Sequence, residues 1–196
     1  MSSEPSVHRL GPQRNPEIDV AVLSAARRLL VERGFAGTSI EAIAQAAGVG
    51  RPAIYRRWPS KAHLVHEAIY PVLDQPAESH VGVPEQTRTL IDGAVALFGD
   101  AATRAAVPGL ISETRADPLL REALVTRQLD PIRAELARRV LEGVDAGVLR
   151  AGVDADALLD VIAGAAIFAL CVRDEQDPEA LAAAIADIVL HGILPR

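Results

Sequence analysis

The chain has 196 residues, a formal net charge of −6 and one cysteine, Cys171, which excludes an intramolecular disulfide and any zinc site built from several cysteines. Hydrophobic residues make up 49% of the chain but aromatic residues only 3%, so the apolar side chains are mostly Ala, Leu, Val and Ile. This alanine-rich composition, with few alternating β-branched runs, predicts an all-α fold, and the length allows one or two domains. The single cysteine suits a reducing cytoplasm.

The sequence predicts neither a secretory signal nor a membrane helix. The first 13 residues are polar and contain two prolines instead of an apolar core. The longest uninterrupted apolar run, residues 161–172, has 12 residues, fewer than the ~18 to 20 that a membrane-spanning helix needs. We interpret this run as buried protein.

The N-terminal arm, residues 1–14, contains two arginines. It is either a disordered terminus or an arm that adds contacts to phosphates or to a minor groove. Asn15, Pro16 and Glu17 then predict the start of a first helix, because they supply a capping side chain, a proline for the first turn and an early acid. Gly34 predicts its end. The buried stripe of this helix comprises Ile18, Val22, Ala25, Leu29 and Leu30.

A second helix is predicted from Ser39 onward. Thr38 and Glu41 have the spacing of a capping box, in which two side chains satisfy two free backbone N–H groups reciprocally. An apolar stripe rich in alanine follows, and its small side chains allow another helix to cross closely. Gly48 ends the helix by adopting a left-handed backbone conformation. The stripe comprises Ile40, Ile43, Ala44 and Ala47.

A third, short helix is predicted after Gly50, with Pro52 in its first turn. Ile54 and Trp58 lie four residues apart and are expected to face the core. The side chains left on the outer face are Arg51, Ala53, Tyr55, Arg56 and Arg57. Residues 42–65 carry four cations and no acid, and such a local excess of positive charge favours contact with phosphates.

Residues 37–61, GTSIEAIAQAAGVGRPAIYRRWPSK, resemble the DNA-binding helix-turn-helix of the TetR family of bacterial transcriptional regulators, and the resemblance extends over about residues 15–75. The shared elements are Gly34-Phe35, Gly37-Thr38-Ser39, Ile43-Ala44, Ala47-Gly48-Val49, Ile54-Tyr55, Trp58 and Ser60-Lys61. Many family members have Phe in place of Trp58, and Lys or Gly in place of Pro59, but neither difference touches the positions that read DNA. The resemblance implies a homodimeric regulator that represses by default.

Nine residues are predicted to contact DNA: Thr38, Ser39, Arg51, Pro52, Ala53, Tyr55, Arg56, Arg57 and Lys61. Arg51 either contacts a base edge, most often guanine, or stays solvated or bound to phosphate. Tyr55 is either half-buried scaffold or a phosphate contact, and the resemblance favours the contact. Lys61 lies beside the free N–H groups of a helix start, which predicts an anion site. Thr38 is expected to act mainly as a cap and Ser39 to bind phosphate.

The charges divide unevenly along the chain. Residues 1–74 contain 9 Lys and Arg against 7 Asp and Glu, whereas residues 75–196 contain 11 against 19. Only the first part is therefore suited to contact DNA, and the acidic remainder disfavours nonspecific wrapping.

A fourth helix is predicted from residue 61 to about residue 70, capped by Ser60. The turn-rich segment 74–83 predicts a domain boundary. The expected domains are a DNA-binding domain over residues 15–74 and an effector-binding and dimerisation domain over residues 84–196.

Further helices bring the predicted total to about nine, with no strand. They cover residues 85–98, residues 103–115, residues 118–146 with a bend at Pro131, residues 155–172 after the cap Asp154, and residues 178–192 after Asp177.

The last two helices are apolar on more than one side, and contiguous apolar surface marks an interface. We therefore predict a dimer contact in which residues 155–171 and 179–190 of two chains form a four-helix bundle, and the resemblance implies the same arrangement. The predicted contact residues are Leu158, Val161, Ile162, Ala165, Ala169, Val172, Ile185, Ile188 and Val189.

A cavity in the C-terminal domain is predicted to hold a small apolar or amphipathic effector. The residues that could line it, although each could equally be ordinary core, are Phe98, Leu110, Ile111, Glu113, Leu136 and Phe168. The polar groups expected to orient the effector are Glu113, Arg115 and Gln128.

No catalytic motif of the G-x-S-x-G, P-loop, H-E-x-x-H or dinucleotide-binding type occurs in the sequence. His63 and His66 have a spacing that metal ligands use, but they lack a third ligand in register. Cys171 lies in an apolar helix and is interpreted as a small core residue, with a redox role as the alternative. The sequence therefore predicts neither an enzyme nor a cofactor or metal site.

The predicted function is a cytoplasmic repressor that binds double-stranded operator DNA as a homodimer and is released by a small-molecule effector. Its two recognition helices would enter successive major grooves about 34 to 36 Å apart on a near-palindromic site. Two alternatives stay open: a metabolic enzyme that retains a helix-turn-helix-like first domain, and an architectural DNA-binding protein that senses no ligand.

Overall fold

The computed structural model describes residues 16–70 and 82–193 of the chain. Within these ranges all regular structure is helical, in ten α-helical segments, two of which are joined by a π-helical turn into one continuous helix. The described residues thus form nine continuous helices, which confirms the predicted all-α fold and its number of helices. The predicted cap Asn15, the N-terminal arm and most of the turn-rich boundary segment lie outside the described residues.

The first four helices are α1 (Pro16–Gly37), α2 (Ile40–Ala47), α3 (Arg51–Tyr55) and α4 (Lys61–Ile69). The first is interrupted at Gly34, whose φ of 68° lies in the left-handed region that glycine adopts without strain. This break is where the sequence predicts the end of the helix. The shared apolar core of the four helices includes Val22, Leu29, Ile43, Ile54, Trp58 and Leu64.

The second helix begins one residue later than predicted, because Ser39 and not Thr38 is its cap. The Ser39 hydroxyl oxygen accepts a hydrogen bond from the backbone N–H of Ala42 at 3.2 Å. Thr38 is buried and donates its hydroxyl proton to the carbonyl of Gly34 at 2.8 Å. The predicted capping box of Thr38 with Glu41 is therefore wrong, and Thr38 instead closes the turn after the break in α1.

The C-terminal helices begin with α5 (Val83–Gly99) and α6 (Ala101–Ala116), which meet at an angle of 85°. They are followed by α7 (Pro118–Leu124), a π turn (Val125–Leu129) and α8 (Asp130–Asp145), which run as one continuous helix. Proline removes a backbone donor and crowds the preceding turn. At the position of the bend predicted at Pro131, the structure has a π turn that ends at Leu129.

The last elements are α9 (Ala155–Ile167), a second π turn (Phe168–Val172) and α10 (Pro178–Ile193). Asp154 caps α9 as predicted, since its carboxylate accepts from the backbone N–H groups of Asp156 at 2.9 Å and Ala157 at 3.1 Å. Helices α5, α9 and α10 pack around a second apolar core that includes Ile91, Val95, Leu159, Ile162, Ala186 and Val189.

The helix Ala155–Val172 has 18 residues and a mean hydropathy of 2.1, which by length and composition alone is enough to cross a membrane. Counting uninterrupted apolar residues misses this, because Asp156 and Asp160 interrupt the run. Only 33% of the stretch is buried. The prediction that this run is buried protein is therefore correct for one side of the helix and wrong for the other.

The N-terminal and C-terminal helices are joined mainly where α1 packs on α6. Phe35 lies so close to Gly109 of α6 that a Cβ added to Gly109 would be 2.7 Å from Phe35 Cγ and 3.0 Å from its Cβ. The ammonium of Lys61 lies 4.0 Å from the centre of the same ring. Phe35 therefore connects α6 with the first turn of α4.

Replacing Gly109 by alanine is expected to lower the free energy of unfolding by about 1 to 3 kcal/mol, because the new methyl group overpacks against Phe35. Gly93→Ala on α5 is the matched control, since the space around Gly93 is open and alanine there raises helix stability by about 0.5 to 1 kcal/mol. Urea unfolding measures both effects. Equal stabilisation by the two substitutions would contradict the close α1–α6 contact.

Candidate nucleic-acid interface

The short helix α3 and the turn after it are anchored by two apolar side chains. Ile54 is fully buried and Trp58 is 3% exposed, and the indole N–H of Trp58 donates to a carboxylate oxygen of Glu67 on α4 at 2.8 Å. Gly48, with φ 68° and ψ 28°, provides the left-handed corner that ends α2. These contacts fix which side of α3 faces outward.

Five of the nine predicted DNA contacts are exposed: Ser39, Arg51, Pro52, Tyr55 and Arg56. Tyr55 is 46% exposed, whereas Ala53 is half-buried. The Arg51 guanidinium pairs with Glu41 of α2 at 2.9 Å, and both side chains are more than half exposed. Exposed pairs of this kind contribute little free energy, so Arg51 can exchange Glu41 for a group on DNA.

Arg57 does not belong to the outward side, contrary to the prediction. Its side chain is only 11% exposed, its guanidinium pairs with Asp19 of α1, and it donates to the carbonyl of Ala53 at 3.2 Å. Thr38 is 2% exposed, so its hydroxyl does not reach the surface either. Both predicted DNA contacts are wrong, because these side chains hold the helices of the motif together.

Lys61 lies half-buried in the first turn of α4. Its ammonium donates to the carbonyl of Phe35 at 2.9 Å, which leaves two protons for a phosphate. The backbone N–H of His63 donates to the hydroxyl of the cap Ser60 at 3.3 Å, so part of the expected anion site is already occupied. Lys61 stays a predicted contact on the strength of its remaining donors.

The positive surface is weaker than residues 42–65 alone indicate. Asp19 neutralises Arg57 and Glu41 faces Arg51, and both acids lie outside that window of sequence. The positive charge available to a phosphate therefore comes from Arg56 and Lys61, and from Arg51 once Glu41 is displaced.

Arg27, which is not among the residues predicted from the sequence, links three elements. Its guanidinium donates to the carbonyl of Ala68 near the end of α4 at 3.0 Å and to the carboxylate of Asp100, at the corner between α5 and α6, at 2.8 Å. Burial alone would raise the pKa of Asp100, but hydrogen bonds from Thr103 and the charge of Arg27 lower that pKa below its ordinary value. No local pattern marks Arg27, because these partners lie 41 and 73 residues away.

The residues predicted to line an effector cavity do not converge on one. The buried members are Phe98, Leu110, Gln128 and Leu136. The exposed members, for which the prediction is wrong, are Ile111, Glu113, Arg115 and Phe168. Their helices turn these side chains away from the apolar core, and Phe168 is 61% exposed on the outside of the second π turn.

An open groove with a volume of about 480 Å³ instead lies between α5 and α10. Its apolar floor includes Val95, Ala96, Ala182, Ala183 and Ala186. The charged side chains along its rim are Arg88, Asp92 and Glu179. None of the predicted effector residues lines this groove, which we call the α5–α10 groove.

An apolar seam, called here the α9–α10 seam, runs along the outside of the last two helices. Val161, Phe168, Val172 and Ile188 are 53% to 72% exposed. On the first of these helices and its π turn, positions 161, 165, 168 and 172 recur at the three-and-four spacing of one face, with Ala165 half-buried. Apolar surface of this extent is typical of a contact with another protein surface.

Five of the predicted dimer contacts lie inside the protomer: Leu158, Ile162, Ala169, Ile185 and Val189. The prediction is wrong for these residues, because a helix that is apolar on two sides does not reveal by periodicity which side its own core uses. Val161, Ala165, Val172 and Ile188 stay predicted contacts, and the position of Phe168 adds it to them.

Helix α4 carries a buried histidine, His66, which is 7% exposed and whose Nε2 has no hydrogen-bond partner among the described residues. Its ring lies 5.0 Å from that of Tyr70. Burial, and then the charges of His63 and Arg127, lower the pKa of His66 to about 4. The imidazole is therefore neutral at pH 7.

We expect His66 to make the protein less stable in acid. Below its ordinary pKa of 6.5 the unfolded state takes up a proton that the folded state refuses until about pH 4, so the free energy of unfolding falls as the pH drops through this window, by ~1 to 3 kcal/mol in total. His66→Gln should flatten the dependence, whereas His63→Gln on the same helix should weaken it only in part, because burial is the larger cause of the lowered pKa of His66 and the charge of His63 the smaller. Urea unfolding between pH 7 and pH 4.5 measures this, and identical acid dependence of His66→Gln and the parent would contradict it.

The other titratable candidates from the sequence are His63 and Cys171. His63 Nδ1 lies 3.0 Å from the hydroxyl of Ser60 and 3.7 Å from a carboxylate oxygen of Asp117. Across residues 16–70 and 82–193, no three metal-ligating side chains come together. Cys171 is half-buried with its thiol 3.8 Å from the carbonyl of Phe98, and burial raises the pKa of that thiol, which disfavours the reactive thiolate.

Comparison with known proteins places this architecture in one family. Residues 22–68 match the family model of bacterial regulatory proteins of the TetR family, and residues 85–189 match that of the tetracyclin repressor-like C-terminal domain. The chain is 27% identical over 184 residues to the HTH-type transcriptional regulator Rv1556 of Mycobacterium tuberculosis, covering 91% of this chain and 88% of that protein.

Solved structures agree with the match. GusR of Salmonella enterica is 25% identical with a TM-score of 0.65, covering 94% of this chain and 98% of that one. FadR of Bacillus subtilis, solved in complex with stearoyl-CoA, has the same fold with a TM-score of 0.66 and 19% identity over 89% of this chain and 98% of that one. The chain therefore belongs to the TetR family and is a transcriptional regulator that binds DNA through its helix-turn-helix.

Proposed function

We propose that this protein is a homodimeric repressor that binds a near-palindromic operator and leaves it when a small molecule binds the C-terminal helices. The observation that carries the proposal is the outward side of α3, where Arg51, Tyr55 and Arg56 are exposed while Ile54 and Trp58 hold the helix from behind. A short rigid helix that presents cationic and hydroxyl groups suits a major groove.

Dimerisation supplies the second half of the proposal. The α9–α10 seam leaves Phe168 and Ile188 largely exposed in one protomer, and a second copy of the same seam would cover both by a two-fold contact. Two recognition helices related in this way would reach successive major grooves, which are about 34 to 36 Å apart.

Release by an effector requires a ligand that binds the two dimer conformations with different affinity, since equal affinity shifts no equilibrium. FadR, a protein of the same fold, was solved with stearoyl-CoA bound, which supports a ligand-responsive role for these helices. We also infer that the protein acts in the cytoplasm and catalyses no reaction, because its function lies in DNA binding.

Selection of bound DNA from a random pool tests the proposal. We expect enrichment of one near-palindromic sequence whose half-sites are centred about 10 to 10.5 base pairs, or a multiple of that, apart. An architectural DNA-binding protein would enrich no sequence, and that outcome would overturn the repressor assignment.

A further inference from the structure

The α5–α10 groove has the composition of a binding site for a small amphipathic molecule. Its floor is lined by short apolar side chains, among them Ala182 and Ala186, which leave a volume of about 480 Å³ open to solvent. A concave apolar surface with a few charged groups at its edge is the usual form of a small-molecule site.

The groove lies on the opposite side of α10 from the α9–α10 seam. Ala186 lines the groove, whereas Ile188, two residues later, is 72% exposed in the seam. Two residues correspond to about 200° of rotation around an α-helix. A second copy of the chain bound to the seam would therefore leave the groove open.

The charges at the rim favour a cation. Arg88 and Asp92 lie one turn apart on α5, and Glu179 lies across the groove in the first turn of α10. Within the described part of the chain, none of the three forms an ion pair or a hydrogen bond. Two carboxylates against one guanidinium give the rim a net charge of −1, and residues 75–196 as a whole carry 11 basic against 19 acidic residues. Both the local and the wider field attract positive charge.

We propose that the α5–α10 groove binds a cationic amphipathic small molecule, with its apolar part on the alanine floor and its positive group between Asp92 and Glu179. The role of this molecule as an effector rests on the proposed repressor function, whereas its binding does not. The effector role requires in addition that the bound molecule move α5 relative to α10.

The displacement has a direct route to the DNA-binding helices. The carboxylate that follows α5, Asp100, accepts from Arg27 at 2.8 Å, and the same guanidinium donates to the carbonyl of Ala68 on α4 at 3.0 Å. A shift of α5 therefore changes the position of α4, on which Glu67 holds Trp58 behind the recognition helix at 2.8 Å.

Tetraphenylphosphonium and tetraphenylborate test the proposal, because they have nearly the same shape and opposite charges. We expect isothermal titration calorimetry on the full chain to detect the phosphonium and to give at least about 10-fold weaker binding of the borate, with the difference shrinking in high salt. Equal affinity for the two ions would overturn the proposal.

Substitutions of the charged rim residues give a second test, because they change the charge of the groove in opposite directions. Asp92→Asn combined with Glu179→Gln should weaken phosphonium binding by about 3- to 10-fold, since each exposed charge contributes modestly, and Arg88→Gln should strengthen it by a smaller factor. Asp145→Asn on α8, away from the groove, is the control and should change nothing. If the variants of opposite charge shift the affinity in the same direction, the charge assignment is wrong.

Measurements of operator binding distinguish simple binding in the groove from an effector role of the bound molecule. Phosphonium at saturating concentration should lower the operator affinity of the parent, and Arg27→Gln should bind phosphonium like the parent while losing most of this response. Binding of phosphonium without any loss of operator affinity would overturn the effector role. Failure to bind any DNA would refute the repressor function alone, because calorimetry needs no DNA.

Discussion

Replacing Ile188 by arginine is expected to convert the protein from a dimer to a monomer and to weaken operator binding by roughly 100-fold or more. Ile188 is 72% exposed in the protomer, and a guanidinium placed at the centre of a two-fold apolar contact is buried twice without a partner. A monomer then binds one half-site and loses the effective concentration that links the second recognition helix to its site.

Sedimentation equilibrium and a gel-shift titration measure the two consequences together. Leu119→Arg is the matched control, because Leu119 is a similarly exposed apolar residue, at 68%, on α7 and outside the seam. It should leave both mass and affinity unchanged. A dimeric Ile188→Arg variant would show that the seam is not the contact between protomers.

Replacing Arg51 by alanine is expected to lower affinity for the best operator by about 1 to 3 kcal/mol, or about 5- to 150-fold, and to relax sequence preference at one base pair of each half-site. The guanidinium stands at the start of the recognition helix, held only by an exposed pair with Glu41. We expect it to leave that carboxylate for a base edge when the protein binds DNA.

Lys61→Ala is the contrasting variant. Loss of a phosphate contact should weaken binding to all sequences alike and reduce the salt dependence by about one charge. Arg121→Ala, an exposed arginine on α7, is the control for general charge effects. Fluorescence anisotropy with the operator and with single-base variants at three salt concentrations separates the cases. An Arg51→Ala variant that loses affinity equally for every sequence would assign Arg51 to phosphate.

The parts of the fold that sequence analysis predicted correctly depend on residues a few positions apart. Gly48 ends α2, and Pro52 lies in the first turn of α3. Asp154 caps α9 by accepting from the backbone N–H groups of Asp156 at 2.9 Å and Ala157 at 3.1 Å. Each of these signals acts within one helical turn, so the sequence contains all of its partners.

The errors arise where the deciding partner is distant. The sequence predicts Arg57 as a surface cation, but in the fold its guanidinium pairs with Asp19 of α1. Thr38 has the spacing of a cap, but its hydroxyl donates backwards to Gly34, and neighbouring Ser39 takes the role. In both cases the residue type and spacing fit the predicted role. The three-dimensional arrangement decides which group each side chain contacts.

The effector and dimer predictions fail for a related reason. The sequence predicts Phe168 for an internal cavity and Ile162 for the dimer contact, yet Phe168 is 61% exposed and Ile162 is fully buried. Both lie on a helix that is apolar nearly all round, and periodicity cannot distinguish its core side from its outer side. The α5–α10 groove was missed because alanines such as Ala182 mark a helix contact as readily as a binding site.

The most direct test of the proposed DNA recognition is a hydroxyl-radical footprint of the selected operator with the parent protein. Two protected segments should lie on one face of the duplex, centred one helical turn or a multiple of it apart, and Arg51→Ala should weaken both equally. A single protected segment, or continuous protection without a preferred face, would contradict the paired recognition helices.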